Sequence, residues 1–427
     1  MASAPAAEAG RRGVSATLWI LLIVYIFNFI DRQIVNILAE PIAKDLKLSD
    51  TQIGLMTGIA FALFYTVLGL PIARYADRPS TNRPRLIAVA LAIWSAMTAL
   101  CGLANNFVQL LLARVGVGVG EAGCTPAAHS LISDIVPKER RASALGFYAL
   151  GIPIGSVLGL MIGGLLVDAL GWRHAFMIVG LPGVVMALVV WLVLKDPRQL
   201  TQLTAAAPPP RISTRDALKS IFSSRAMVLL LVAASSAAFL SYGKGVWATI
   251  YFQRTYGLSP GQVGLWFGIV NGAGGILGTW LSGKIADKYG HTDRRHVLTA
   301  AAWGMLLVAP LAILAYSQSD WRMALIVLFV PTFLASLYYG PTYSSVQGLA
   351  DPQARAMASA VLLFFQNLIG LGLGPLLFGM LSDALKPTYG EDSVRYVLYI
   401  ASLMSLIPAY FFWRCSLRLN DELDKHG

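Results

Sequence analysis

The amino-acid sequence contains twelve apolar stretches, each near or above the ~20 residues that an α-helix needs to cross a lipid bilayer. Hydrophobic residues make up 56% of the chain and charged residues only 13%, whereas soluble domains carry about 25% charged residues. We therefore predict an all-α integral membrane protein. Its predicted spans are 16–39, 52–76, 85–104, 107–133, 142–168, 174–194, 226–252, 260–286, 296–316, 322–348, 356–384 and 394–414.

The two halves of the chain repeat each other. The segment Gly283–Gly290 follows the eighth span, and the similar segment Ala73–Arg78 follows the second span, 210 positions earlier. With a displacement of 215 positions, further matches are Pro137 with Pro352, Arg140 with Arg355, Gly159 with Gly374, Gly164 with Gly379 and Asp168 with Asp383. We therefore predict two six-helix bundles related by an axis along the membrane normal, with the substrate site between them.

The spans and loops also predict the domain boundaries. We expect an N-terminal bundle at 16–194 and a C-terminal bundle at 226–416, joined by a cytoplasmic linker at 195–225. Residues 1–15 and 417–427 are the predicted cytoplasmic tails. Within the linker, Ser213 stands where a helix cap belongs, which predicts a short surface helix over 213–223.

Positive residues are concentrated in the loops on one side. Of the 33 Lys and Arg residues, 23 lie in segments that are cytoplasmic if both termini are, seven lie in the opposite loops and three lie within spans. Lys and Arg accumulate in cytoplasmic loops. We therefore predict a multi-pass protein of the cell inner membrane or plasma membrane with both termini in the cytoplasm. Since topology explains the net charge of +11, nucleic acid is not an expected partner.

The fourth span carries two charged residues, Arg114 and Glu121. A charge within hydrocarbon costs ~2.5–3.5 kcal/mol on insertion scales, so such residues have a purpose. Their spacing of seven residues corresponds to two helical turns and puts both on one face. On another face, a stripe of small residues suits close packing against a neighbouring helix. The stripe consists of Gly116, Gly120, Gly123 and Ala127.

The first span carries Asp31 and Arg32 near its middle, with Asn28 one turn before Arg32. Together with Arg114 and Glu121, the four charges sum to zero when both acids are ionised. Protonating one acid leaves a charge that an anionic headgroup would balance. Our hypothesis is that Glu121, or else Asp31, carries an exchangeable proton. Arg32 or Arg114 then binds the anionic group of the substrate beside Asn28. The alternative is a structural ion pair between the first and fourth spans.

The second half offers weaker candidates. Trp247, Phe364 and Gln366 are predicted to line the substrate cavity, although most such residues in a membrane bundle serve packing or face lipid. Lys244 lies late in the seventh span, and we expect its ammonium group to reach the membrane interface along its apolar stem. His129 lies two turns beyond Glu121, and a structural histidine is favoured there over a proton relay.

The loop and glycine patterns resemble the major facilitator superfamily over essentially the whole chain. Gly283–Gly290 has the pattern Gly-x-x-x-Asp-Lys-x-Gly, which is the superfamily's loop motif. The N-terminal copy departs from this motif at Ala73 and Ser80. Arg114–Gly120 resembles the motif of the fourth span. The resemblance implies two six-helix bundles and transport by alternating access.

Within that superfamily, the sequence is most similar to the spinster-like family. Asn28–Arg32 is similar to its Asn-Tyr-x-Asp-Arg, Gly118–Ala122 to its Gly-Val-Gly-Glu-Ala, and Phe147–Ser156 to its fifth span. Animal members of the family are linked to the export of lysolipids and sphingosine phosphate. The resemblance therefore implies an amphipathic lipid as the substrate class.

The resemblance further implies a gate made of charged loop residues. Asp77 and Asp287 are implied to contact helix ends of the adjoining bundle when the cytoplasmic side is closed, and an acid near a helix N-terminus gains ~0.3–1 kcal/mol. A contact made in only one state shifts the equilibrium between states by its differential energy. The predicted gate residues are Arg74, Asp77, Arg78, Arg140, Asp287, Lys288, Asp351 and Arg355. For most of them the alternative is favoured that they are orientation signals and solvated charges, and Asp77 and Asp287 are the exceptions.

These patterns together predict a proton-coupled secondary transporter of an amphipathic lipid or a related organic anion, working as a monomer among membrane lipids. The proton is the expected coupling ion, and no other cofactor and no metal is expected. The alternatives are a transporter of small organic acids, a drug–proton antiporter and, in a different class, a transporter-like sensor. An enzyme is disfavoured because the sequence shows no metal-ligand cluster, nucleotide-binding loop or nucleophile–base set.

Overall fold

The computed structural model describes residues 4–137, 140–200, 213–289, 293, 295–351 and 353–423. Parts of the predicted tails and linker (1–3, 201–212 and 424–427) and the motif residues Gly290 and Pro352 lie outside this part of the chain. The helices of the first half are α1 (Ala4–Leu46), α2 (Asp50–Thr57), α3 (Ile59–Ala76), α4 (Arg83–Cys101), α5 (Phe107–Glu121), α6 (Cys124–Ile135), α7 (Arg141–Ala149), α8 (Gly151–Val193) and α9 (Pro197–Leu200).

The second half is helical as well, and a π-helix (Gln366–Leu373) lies between α16 and α17. Its α-helices are α10 (Thr214–Ser223), α11 (Arg225–Tyr256), α12 (Pro260–Tyr289), α13 (Arg295–Tyr316), α14 (Trp321–Ala335), α15 (Tyr339–Leu349), α16 (Arg355–Phe365), α17 (Gly374–Tyr389), α18 (Ser393–Leu403) and α19 (Leu406–Leu423).

Within the described ranges, nine segments are long and apolar enough to cross a membrane. Two of them, Ser143–Gln199 and Arg355–Glu422, contain 57 and 68 residues. Each therefore exceeds the ~20 residues of one crossing and holds two of the predicted spans. The helix α12, with 30 residues, forms the remaining span. The chain is thus an all-α membrane protein with twelve spans, as predicted.

Two glycines with positive φ separate spans that would otherwise run together. Gly171 has φ 79° and ψ 165° and interrupts α8, at the loop predicted between the fifth and sixth spans. Gly390, with φ 56°, lies between α17 and α18. Glycine adopts this backbone region without the steric cost that a Cβ would bring.

The chain forms two compact units. Unit 1 consists of Met1–Leu48, Ala60–Ala206 and Pro260–Gly264. In unit 1, α1 lies against the first half of α8, at a row of glycines. A Cβ at Gly155 would lie 2.5 Å from the carbonyl oxygen of Ile26, so only glycine permits this separation of the helix backbones.

The small-residue face of α5 packs closely against α4, also within unit 1. A Cβ at Gly120 would lie 2.6 Å from the Trp94 backbone nitrogen, and one at Gly116 would lie 2.6 Å from the Met97 sulfur. The predicted packing role of the stripe is therefore confirmed. The predicted single helix over 107–133 is nevertheless broken between α5 and α6. Pro126 has no N–H to donate to the carbonyl four residues earlier, which explains the break.

Unit 2 consists of Ser49–Ile59, Ala207–Ser259 and Leu265–Gly427. Its core surrounds α11, which packs against α17, α19 and the π-helix. The π-helix ends at Leu373, two residues before Pro375, which cannot donate the N–H that a continuous α-helix requires at its position. The linker helix α10 begins after Ser213, whose side chain accepts a hydrogen bond from the Arg215 N–H.

Candidate functional site

The charged residues of the first and fourth spans come together inside unit 1. Arg32 on α1 donates a hydrogen bond from Nε to Oε2 of Glu121 on α5 over 2.5 Å. The Glu121 side chain is fully buried, and that of Arg32 is 13% exposed. Asn28 is also buried and lies near Glu121. Removing either partner of a buried pair leaves an uncompensated charge, which is strongly destabilising.

Three aromatic rings surround the Arg32 guanidinium group. Its Cζ lies 5.1 Å from the ring centroids of both Phe29 and Phe61, and 4.5 Å from that of Tyr65. All three distances fall within the range of cation–π attraction. Phe61 and Tyr65 are one turn apart on α3 and so share a face. Sequence reasoning missed this aromatic cage, although the spacing of the two rings in the second span was a signal for it.

Asp31 and Arg114 complete the site. Both are about 1% exposed, and Arg114, Trp94 and Thr98 lie near the Asp31 carboxyl group. The Arg114 Cζ lies 5.5 Å from the centroid of Phe61, so one ring contacts both guanidinium groups. We call Asp31, Arg32, Arg114 and Glu121 the charge cluster.

Several buried polar atoms at the charge cluster have no hydrogen-bond partner among the described residues. They are Asn28 Oδ1 and Nδ2, Asp31 Oδ1, Arg114 Nε and Nη1, and Glu121 Oε1. Each such atom costs ~1–3 kcal/mol, and buried polar groups in folded proteins are normally satisfied. The charge cluster therefore holds both donors and acceptors that a proton or a polar ligand group can use.

The predicted cavity residues of the second half have different environments. Trp247 is fully buried, and its Nε1 donates to the Pro375 carbonyl over 2.9 Å. It joins α11 to α17, so the expectation that it lines a cavity is not met. Phe364 is 42% exposed. Gln366 lies at the start of the π-helix, and its Oε1 accepts a hydrogen bond from the Tyr343 hydroxyl over 3.3 Å.

The predicted gate residues lie at the polar ends of helices. All except Asp351 are exposed. The Asp77 carbonyl accepts a 3.4 Å hydrogen bond from Arg198, and Asp351 accepts one of 2.5 Å from Ser220 on α10.

Also in unit 2, Asn420 donates to Asp293 over 3.0 Å. This hydrogen bond favours the ionised carboxylate and lowers the pKa of Asp293.

A buried ion network near the same end of unit 1 was missed from the sequence. Arg83, at the start of α4, is fully buried, and its Nη2 donates to Asp196 over 2.5 Å. Its Nη1 donates to Asp134 over 2.7 Å, which also accepts from Arg198 over 2.7 Å. An arginine that opens an apolar span and an Asp-Pro-Arg sequence that follows another were the available signals.

Two aspartates matched by the internal repeat each bind the start of another helix. In unit 2, Asp383 accepts hydrogen bonds from the backbone nitrogens of Asp50 (3.1 Å) and Thr51 (2.7 Å) at the beginning of α2. In unit 1, Asp168 accepts one from the Gly261 nitrogen (3.0 Å) at the beginning of α12. A carboxylate at a helix N-terminus satisfies free N–H groups and complements the helix dipole.

The same part of unit 2 contains a bidentate ion pair. Arg254 donates from Nη1 and Nη2 to the two carboxylate oxygens of Asp50, over 3.0 and 2.8 Å. Ser382 donates to Asp50 over 2.6 Å. Within the described ranges, no three His, Cys, Asp or Glu side chains are placed to hold a metal ion.

Known proteins are similar to this chain over nearly its whole length. The family model of the Major Facilitator Superfamily matches residues 21–303 and 246–425. The chain is 34% identical over 415 residues to an MFS-type efflux pump of Mycolicibacterium smegmatis, covering 97% of this chain and 95% of that protein. It is 26% identical over 429 residues to the sphingosine-1-phosphate transporter SPNS2 of Danio rerio, covering 94% of this chain and 83% of that protein.

A solved structure is similar over nearly the whole fold. It is a bacterial homolog of the human lysosomal transporter spinster, in an inward-facing and unoccupied conformation. The TM-score is 0.88 with 30% sequence identity, over 96% of this chain and 98% of that one.

Twelve membrane spans and this family match define the class: the chain belongs to the Major Facilitator Superfamily. Its spinster relatives make it a spinster-like transporter within that superfamily. It is accordingly a multi-pass membrane protein that carries a small-molecule substrate, and it is a transporter rather than an enzyme.

Proposed function

We propose that this transporter moves an amphipathic lipid of the lysolipid or sphingolipid kind, or a related organic anion, by alternating access coupled to protons. The observation that carries the proposal is the buried Arg32–Glu121 pair beside Asp31 and Arg114. Ionisable groups inside a membrane are costly and mark substrate and proton pathways. The relative named as a sphingosine-1-phosphate transporter supports the lipid class.

Glu121 is the proposed proton carrier. Protonation removes the negative partner of Arg32 and leaves the charge cluster with a net charge of +1. Arg32, still positioned by its aromatic cage, and Arg114, with two unpaired nitrogens among the described residues, can then bind an anionic headgroup. Deprotonation restores the internal ion pair, which competes with that headgroup. Asp31 is the second candidate for the proton.

The remaining assignments follow from the sequence and belong to the same proposal. Both termini lie in the cytoplasm, the protein resides in the inner or plasma membrane, and one chain suffices for transport. The predicted gate charges at the ends of the second, fourth, eighth and tenth spans form contacts that differ between the states of the cycle.

A second candidate is proton-driven efflux of drug-like amphiphiles. The specific observation in its favour is the 34% identical relative, which is described as an MFS-type efflux pump. The charge cluster fits this function equally well, because a proton carrier beside an aromatic cage also suits an amphipathic cation when Glu121 is ionised.

Transport into proteoliposomes tests the proposal. Labelled lysolipids, a small hydrophilic organic anion and a cationic dye are offered with and without an imposed pH gradient, to the parent protein and to Glu121→Gln. We expect lysolipid uptake that responds to the gradient in the parent only. Glu40→Gln is the matched control. Glu40 is also a buried glutamate, on α1, but it pairs with Lys44, away from the charge cluster.

Each other outcome would overturn one part of the proposal, either the substrate class or the proton carrier. Uptake of the dye alone favours the efflux candidate, and uptake of the hydrophilic anion alone discards the lipid class. An equal response of the parent and Glu121→Gln to pH discards Glu121 as the proton carrier.

A further inference from the structure

A cavity of about 140 Å³ lies inside unit 2, apart from the charge cluster. Its walls come from α11 to α15 and from the turn between α18 and α19. One face of α11 contributes Leu240, Ser241, Lys244 and Ala248. Lys244 is the charged residue among the described lining residues, so the sequence-based expectation that it reaches the membrane interface is not met.

The Lys244 ammonium group has no hydrogen bond or ion pair with any residue that the structure describes, and the lining contains neither Asp nor Glu. The Lys244 side chain is only partly exposed, and a charge in an apolar environment is costly unless it is paired. Its neighbour Gly243 holds the helix against the Phe378 ring, since a Cβ there would lie 2.8 Å from that ring. The lysine is therefore held at the cavity by the packing of its own helix.

Other polar groups of the cavity can donate hydrogen bonds to a ligand that binds the Lys244 ammonium group. Asn271 on α12 lines the cavity and makes no hydrogen bond to the described residues. Ser241 lies one turn before Lys244. An ammonium, a carboxamide and a hydroxyl together offer several donors. In contrast, Thr332 and Ser336 already donate to carbonyls of their own helix, over 2.8 and 3.0 Å.

Most other lining residues are apolar, among them Phe267, Met305, Val308 and Leu328, and Tyr316, Tyr339 and Ser405 complete the lining of the cavity. Its volume of about 140 Å³ is close to that of an engineered cavity of ~150 Å³ that binds benzene. From the charge, the donors and the size, we propose that this cavity is a second binding site, which takes an organic anion whose apolar part is about as large as a benzene ring. The anionic group contacts Lys244 and Asn271, and the apolar part contacts Phe267 and Met305.

Equilibrium binding to the purified full-length protein in a neutral detergent tests the site, with benzoate as the probe. Inorganic phosphate supplies charge without an apolar part, and benzyl alcohol supplies the ring without charge. We expect binding of benzoate alone among these three. Lys244→Met should weaken it by about 10- to 100-fold, as expected for the loss of one charge-assisted hydrogen bond, whereas Lys244→Arg should retain it.

Lys219→Met is the matched control, because Lys219 is exposed on α10 and should leave benzoate binding unchanged. Without ligand, Lys244→Met should melt at a higher temperature than the parent, since it removes an unpaired charge. If that variant fails to fold, Asn271→Leu replaces it and should also weaken binding.

Octyl phosphate distinguishes two sources of such an anion, a lipid headgroup and a free small acid. Tighter binding than benzoate, lost in Lys244→Met, supports the site and identifies a lipid headgroup as its occupant. Weaker binding supports a free small acid. The proposal is overturned if benzoate does not bind the parent, if Lys244→Met binds it as tightly, or if inorganic phosphate binds equally well. Because the readout is binding without a pH gradient, it is independent of the transport assay on Glu121→Gln.

Discussion

Arg32 contacts one carboxylate and three aromatic rings. The carboxylate pairs with its charge, and the rings hold its guanidinium group in position. The ion pair with Glu121 depends on the ionisation of that acid, whereas the rings of Phe29, Phe61 and Tyr65 attract the guanidinium group in any protonation state. Under the proposed mechanism, the aromatic cage would therefore keep Arg32 in place when Glu121 is neutral and the arginine binds the substrate.

Tyr65 tests this role of the rings. Tyr65→Leu removes the ring with the shortest distance to Arg32, 4.5 Å. It should raise the KM for the proposed anionic substrate several-fold, in line with ~0.5–2 kcal/mol for a cation–π contact. Tyr65→Phe keeps the ring and should stay close to the parent. The measurement is the initial transport rate against substrate concentration. Equal effects of the two variants would assign the role to the hydroxyl group instead.

At the scale of helices, glycine rows decide which spans touch. The helices α1 and α8 approach so closely at Gly155 that a Cβ would meet the Ile26 carbonyl oxygen at 2.5 Å. A backbone atom cannot move aside as a flexible side chain can, so the helices themselves have to separate. Since α1 carries Arg32 and Asp31, its distance from α8 also positions half of the charge cluster.

We expect Gly155→Ala to destabilise the protein by ~1–3 kcal/mol, the usual cost of overpacking a core. Gly146→Ala is the control, because a Cβ there would meet nothing within 4 Å and alanine favours the helix. Thermal unfolding in detergent measures both. A Gly155→Ala variant as stable as Gly146→Ala would show that the two helices separate without cost.

The sequence predicted the helices and single-helix faces better than the contacts between helices. The spacing of Arg114 and Glu121 placed both on one face of α5, and the small residues on another face pack as predicted. The pairing of Arg32 with Glu121, 89 residues apart, was foreseen only as the alternative of an ion pair between the first and fourth spans, without its two partners. Its geometry depends on how α1 and α5 are rotated about their axes, which spacing along one helix does not determine.

The unknown rotation and position of neighbouring helices also explain why the predictions for Trp247 and Lys244 were wrong. Trp247 and Lys244 lie less than one turn apart on α11, yet the first is buried against α17 and the second lines a cavity. Both are plausible cavity residues by type. Which of them faces the space depends on the positions of α12 to α17, which the pattern of α11 alone does not contain.

At the scale of the whole chain, the second span is divided between the two units. The helix α2 belongs to unit 2 and most of α3 to unit 1, and Gly58 between them has the non-helical angles φ −106° and ψ −100°. The attachment of α2 to unit 2 includes the hydrogen bonds from its first amides to Asp383.

Asp383→Ala should loosen this attachment locally. Losing a helix cap costs ~0.5–2 kcal/mol, so hydrogen exchange of the amides at the start of α2 should speed up by about 2- to 30-fold. Asp320→Ala removes the cap of α14 and should accelerate exchange only there. Unchanged exchange at Asp50 and Thr51 in Asp383→Ala would show that the remaining contacts hold α2 without this carboxylate.

The depth of the charge cluster has an electrical consequence. Asp31 and Arg32 lie close to the centre of the segment Val14–Leu46, so a proton that reaches the cluster from either side crosses roughly half of the membrane potential. An elementary charge that crosses the whole potential exchanges ~2.3 kcal/mol per 100 mV, and half of that is about 1 kcal/mol. Under the proposed proton coupling, the proton occupancy of Glu121 would therefore respond to voltage as well as to pH, and a de-energised cell would lose both parts of that driving force together.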